Sequence, residues 1–170
     1  MKSWLFALGL ALCCVVQAEW KEVTITSNKE MGRWITFAIA CNSISCLDQI
    51  RSLSAFIAEV SQPEEDVFSI LVLIHMPDGC KNVTYQLKKG EDGKYRFLFD
   101  ETVVTVESMK VQDEYVMSTI NVNNEFKTTT PHGRKVTQDP EILQKFKDEC
   151  KKLGYKEDEI VVLNPTVKCQ

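Results

Sequence analysis

Between residues 32 and 130 the chain is a succession of eight short β-prone runs, at 32–40, 53–60, 67–75, 82–88, 95–99, 102–108, 115–122 and 126–130. Turn formers separate them: Pro63 before two glutamates, Pro77-Asp78-Gly79, Gly90 to Gly93, and Asn123-Asn124. Runs joined this tightly pair with their neighbours in antiparallel fashion. Their number and roughly 10–12-residue spacing predict an all-β fold, an eight-stranded antiparallel up-and-down β-barrel rather than a sandwich. Alternation supports it: Val83, Tyr85 and Leu87 interleave with Asn82, Thr84, Gln86 and Lys88, as a half-buried strand requires. One helix follows the strands. Asp139 is placed to cap it, Pro140 to occupy its first position and Gly154 to close it. Leu143, Phe146, Cys150 and Leu153 form an apolar stripe on it, expected against the outside of the barrel. A last β-prone run, 160–163, leads to Cys169.

The N-terminus narrows the setting. Lys2, an apolar run over residues 4–16 and small residues at 16 and 18 read as a secretory signal peptide spanning 1–18, with one domain over 19–170. That run is too short to cross a bilayer, so an extracellular protein without integral membrane association is expected. Removing Lys2 from 20 basic residues against 24 acidic ones leaves a net charge of −5. With no basic patch interleaved with aromatics, nucleic acid is an unsuitable partner. Five cysteines lie beyond the leader: Cys41, Cys46, Cys80, Cys150 and Cys169. An odd number leaves a free thiol or an intermolecular bond. Cys41 and Cys46 could pair across their loop, either could pair with Cys150, or Cys150 is a buried thiol on the helix stripe. Asn82-Val83-Thr84 is a glycosylation sequon whose asparagine falls on an outward position. His75 and His132 end strands and share no ligand spacing with the cysteines, so they are expected at the surface, with no metal site and no cofactor.

Gly32-Arg33-Trp34 on the first strand, Arg134 just past the eighth, a helix and a terminal cysteine together resemble the lipocalin family over nearly the whole mature chain. The resemblance implies a barrel floor made by Gly32 and Trp34, with Arg134 packed across the indole as a cation–π contact. It also implies a disulfide between Cys80, opening the fourth strand, and Cys169. The helix and tail, 146–155 and 157–163, are similar to the lipocalin-type prostaglandin D synthases and to extracellular fatty-acid- and odorant-carrying relatives. The family's Thr-Asp-Tyr motif is absent: Lys110-Val111-Gln112 stands nearest, although Tyr115 is present.

In the isomerase branch the resemblance places a nucleophilic cysteine on the second strand, where this chain has Phe56. A phenyl ring lines a cavity but attacks nothing. Cys41 and Cys46 fall in a loop at the mouth, and Thr36 offers only a supporting hydroxyl. The reading is therefore a non-enzymatic carrier, with the isomerase and a protein acting through surface partners as the alternatives. Parity counted from Trp34 puts Thr36, Ala38 and Ala40 inside on the first strand, and Phe56, Ala58 and Val60 on the second. Phe68, Ile70, Val72 and Ile74 follow, then Val83, Tyr85 and Leu87, then Tyr95, Phe97 and Phe99. Val104, Val106, Val116, Ser118, Ile120, Phe126 and Thr128 complete the lining. None is charged, which suits a neutral ligand over an ionised fatty acid: an odorant or pheromone first, then a retinoid, steroid or other lipid. The same side chains could instead fill the barrel solid. A monomer or weak dimer is expected, with a cell-surface receptor as a further possible partner.

Overall fold

The computed structural model describes residues 19–24, 30–136 and 139–169; the leader expected at 1–18 lies outside them. The first barrel strand is split into β2 (Gly32–Thr36) and β3 (Ala38–Cys41), preceded by a two-residue β1 (Lys21–Glu22). A short helix α1 (Ile44–Ile50) comes next. Then follow β4 (Phe56–Glu64), β5 (Val67–Met76), β6 (Gly79–Lys89), β7 (Tyr95–Phe99), β8 (Thr102–Gln112), β9 (Tyr115–Val122) and β10 (Phe126–Gly133). From β4 to β10 each strand pairs antiparallel with the next, and β10 returns to both β2 and β3. This closes an eight-stranded antiparallel barrel. Helix α2 (Pro140–Lys152) packs outside it, and β11 (Ile160–Val162) adds to β3.

Besides a register shift between Ser61 and Glu64 on β4, the structure departs from the simple alternation at two points. At Phe37 the first strand breaks. The carbonyl of Phe37 accepts a hydrogen bond from the N–H of Leu163 (2.9 Å), and parity reverses beyond it. Phe37, Ala38 and Ala40 therefore pack under α2, with Met117, Phe146 and Cys150. The second departure lies in β8, where the register with β9 shifts between Val106 and Ser108. The extra residue, Glu107, turns Met109 inward in place of Ser108.

Helix α2 ends as its sequence dictates. The Asp139 carboxylate accepts from the N–H of Glu141 (2.9 Å), and Pro140 stands at the first position. At the other end the N–H of Tyr155 reaches the carbonyl of Cys150 (3.0 Å), and Gly154 has φ +93°. That is a Schellman closure, which needs a left-handed residue where glycine stands. Its buried face is Ile142, Phe146, Glu149 and Cys150. The stripe is thus rotated from the expected one, because Leu153 caps the helix and is 43% exposed. Glu149 is held by Lys110 of β8 (2.6 Å). Burial raises its pKa, but the hydrogen bond and charge of Lys110 outweigh this, so the carboxyl sits below its ordinary value.

The expected loop at 41–46 is partly helical: Leu47 and Ile50, three residues apart, bury one face of α1 against Ile39, Cys41 and Leu163. Seven residues are too few for a visible helical period. Cys41 bonds Cys46, Cys80 bonds Cys169, and Cys150 is free and buried.

Candidate functional site

The barrel is not filled solid. It encloses a cavity of about 330 Å³, within the range of small-molecule sites. Its floor is Trp34, whose indole N–H donates to the carbonyl of Glu30 (2.8 Å). The guanidinium of Arg134 lies 3.5 Å from the ring centroid and donates to the carbonyl of Arg33 (2.9 Å). Gly32 turns the chain here with φ +89°, a left-handed backbone that a side chain would strain. Cys46 and Ile50 of α1 border the cavity from another side.

Most of the side chains that parity placed inside do border this space: Thr36, Phe56, Ala58, Val60, Phe68, Ile70, Val72, Tyr85, Leu87, Phe97, Val106, Val116, Ser118, Ile120 and Thr128. Eight of the expected lining residues, Ala40 beneath α2 among them, do not. Ala38 is turned out under α2 by the break at Phe37, and Ile39 takes the inward place. Ile74 and Val83 share the inward parity of Val72 and Tyr85, but the stagger of tilted strands carries them past the cavity, and Val83 is 41% exposed. Val104, opposite Phe97 and Val122, is buried without reaching the cavity. Phe126, at the start of β10, packs against the cluster around α1. Tyr95 meets Phe68 edge-on at 5.2 Å instead of lining the space. Phe99 is 53% exposed at the end of β7.

The largest correction concerns His132. It was expected at the surface, yet it borders the cavity. Strand β10 runs on to Gly133, and stepping by two from Phe126 and Thr128 reaches Thr130 and then His132. Ending that strand at 130 hid it. Nδ1 of His132 lies 2.8 Å from the Thr36 hydroxyl, and Nε2 lies 2.9 Å from Ser118 Oγ and 3.1 Å from Thr130 Oγ1. Ser118 and Thr130 also bond each other at 2.9 Å. Burial pushes the imidazole pKa down to about 4, so the ring is neutral at neutral pH. Met109, turned inward by the bulge, gives no sequence signal that alternation could detect. His75, by contrast, lies on β5 opposite Cys80, away from this cluster. Among the described residues no three of His, Cys, Asp and Glu gather where they could hold a metal ion.

The sulfur chemistry is confined. Cys46 borders the cavity, but its sulfur is bonded to Cys41. Phe56 occupies the second-strand position. Cys150 sits between barrel and helix, outside the cavity, and burial drives its thiol up to about 12. No helix among the described residues is long and apolar enough to cross a membrane.

A closed antiparallel barrel around an apolar cavity, floored by a tryptophan beneath an arginine, defines the class of small-ligand-binding barrels. The chain belongs to the Lipocalin / cytosolic fatty-acid binding protein family, whose model matches residues 31–167. Among curated proteins it is 28% identical to one named Lipocalin from Rhinella marina, over 96% of this chain and 94% of that one. It is 26% identical to prostaglandin-H2 D-isomerase of Felis catus, over 88% and 82% of the two chains. Among solved structures it resembles the siderocalin Ex-FABP, with TM-score 0.68 and 19% identity over 83% of this chain and 97% of that one. An odorant-binding protein matches with TM-score 0.73 and 15% identity, over 87% and 99%. At these identities the structural matches speak to the fold alone.

Proposed function

We propose that this protein is a secreted carrier that takes a small hydrophobic molecule into the barrel cavity, an odorant or pheromone before a retinoid, steroid or other lipid. The observation that carries the reading is the cavity wall itself. Most of its side chains are aliphatic or aromatic, its one acidic member is Glu30, and neither lysine nor arginine is among them. An apolar guest gains from leaving water there, and a carboxylate would find no cation. The leader read at 1–18, the mature domain at 19–170, a glycosylation sequon at the exposed Asn82, and two disulfides suit an extracellular protein. Secretion from cultured eukaryotic cells, with a mature N-terminus at Glu19, tests that part.

Several relatives are named prostaglandin-H2 D-isomerase, so the isomerase is the second reading. Phe56 and the bonded Cys46 favour the carrier over it, since a thiolate is what that step would need. The test is titration of the purified mature protein with a fluorescent naphthylamine dye, followed by competition with odorants, retinoids, steroids and fatty acids. Saturable uptake with micromolar displacement supports the carrier. No uptake by a protein folded by circular dichroism refutes it and moves attention to a receptor-binding surface.

A further inference from the structure

We infer that the cavity selects a neutral apolar ligand bearing one hydrogen-bond acceptor, a carbonyl or ether oxygen, seated against the cluster of Thr36, Ser118, Thr130 and His132. This rests on the carrier reading. The cluster occupies the wall made by β2, β9 and β10. In the closed ring of eight strands, β6 lies opposite β10, so the aromatic pair Tyr85 and Phe97, 5.0 Å apart, faces the cluster from across the cavity. One wall is polar and the other receives hydrocarbon.

Counting hydrogens shows what the polar wall offers. A neutral imidazole has one N–H and one lone pair, and each hydroxyl has one donor hydrogen. If Nδ1 carries the ring hydrogen, it donates to Thr36. Nε2 then accepts from Ser118 or Thr130, the other of these donates to its neighbour, and the Thr36 hydrogen is left over. If Nε2 carries it, Thr36 donates to Nδ1 and the ring N–H points at Ser118 and Thr130. Only one of those two hydroxyls can donate to the other, so the second hydrogen is left over. In either tautomer the cluster holds one more donor than it can use internally. All four residues border the cavity. A guest with an acceptor oxygen completes the set, whereas a saturated hydrocarbon does not.

The test uses the mature protein loaded with a naphthylamine dye and competed with undecanone, undecane and undecanoic acid at neutral pH. Isotope-labelled undecanone bound to the wild type should show a carbonyl stretch shifted to lower wavenumber than in hexane. A variant with an apolar wall, Thr36→Val, Ser118→Ala, Thr130→Val and His132→Phe together, should lower the ratio of undecanone to undecane affinity roughly tenfold. Thr84→Val, on the outer side of β6, should leave that ratio unchanged. An unshifted carbonyl in the wild type overturns the inference even where the four-site variant fails to fold, and saturable dye uptake would then leave the carrier reading standing. A ratio that falls as far with Thr84→Val, or tighter binding of undecanoate than of undecanone, overturns it as well. No dye uptake removes both readings together.

Discussion

Replacing His132 by glutamine removes a group that titrates differently in the folded and unfolded chain. Unfolded, an imidazole takes up a proton near pH 6.5, but inside the barrel burial holds that step down to about 4. Between these values the unfolded state binds more protons, so stability falls as the pH drops through the window and is fully present above it. Integrating from pH 7.5 to pH 5 gives a loss of about 2 kcal/mol from this one ring. The carboxylates held below their ordinary values, Glu107 and Glu149 among them, contribute mainly below that range. Urea denaturation at pH 7.5, 6 and 5 reads the effect. The wild type should lose about 2 kcal/mol of unfolding free energy across the series, and His132→Gln should stay nearly flat. Glutamine alters the hydrogen bonds to Thr36 and Ser118 and so changes the level of stability, whereas the titration of the ring sets its slope with pH. Parallel pH dependences in the two proteins would refute it.

The same denaturation assay reaches the packing. Phe146→Ala empties the fully buried centre of the contact between α2 and the barrel, and should cost about 3–5 kcal/mol. Replacing Cys80 and Cys169 by serine opens a link across 89 residues and should cost about 4–5 kcal/mol; replacing Cys41 and Cys46, 5 apart, should cost about 2. The order of the two losses is the check. Arg134→Ala removes the cation from the face of Trp34, and should cost about 1 kcal/mol while altering the tryptophan emission. Cys150, buried and with its thiol driven up to about 12, should react with a thiol reagent only after urea is added.

Much of this architecture could be read without coordinates because barrel strands obey a period of two. Gly32, Trp34 and Arg134 stand far apart in the chain yet meet at the floor, and Cys80 meets Cys169, as the family resemblance implied. Parity failed where the backbone inserts a residue. Phe37 and Glu107 look like ordinary strand residues, so nothing local announces that Ile39 replaces Ala38 or that Met109 turns inward. His132 is a different case. The step of two from Thr128 leads straight to it, and the assumption that a histidine near a strand end faces water hid it. Its neutrality depends on burial, and burial is a property of the closed barrel, not of any short segment.

The strands fall into two kinds according to what lies on their outer sides. Ala38, Ala40, Thr129 and Pro131 are buried behind the cavity wall by α2 and the tail, so β3 and β10 are walls between two packed interiors. On β6 the outer neighbours Asn82, Thr84, Gln86 and Lys88 face water. A change of residue on the β6 side of the cavity disturbs one interior only, and the strand can yield toward solvent. A change on the β3 or β10 side is transmitted into the helix contact. Descendants of this chain that acquire a new guest should therefore accumulate their substitutions around Tyr85 and Leu87, while the wall holding His132 keeps its residues.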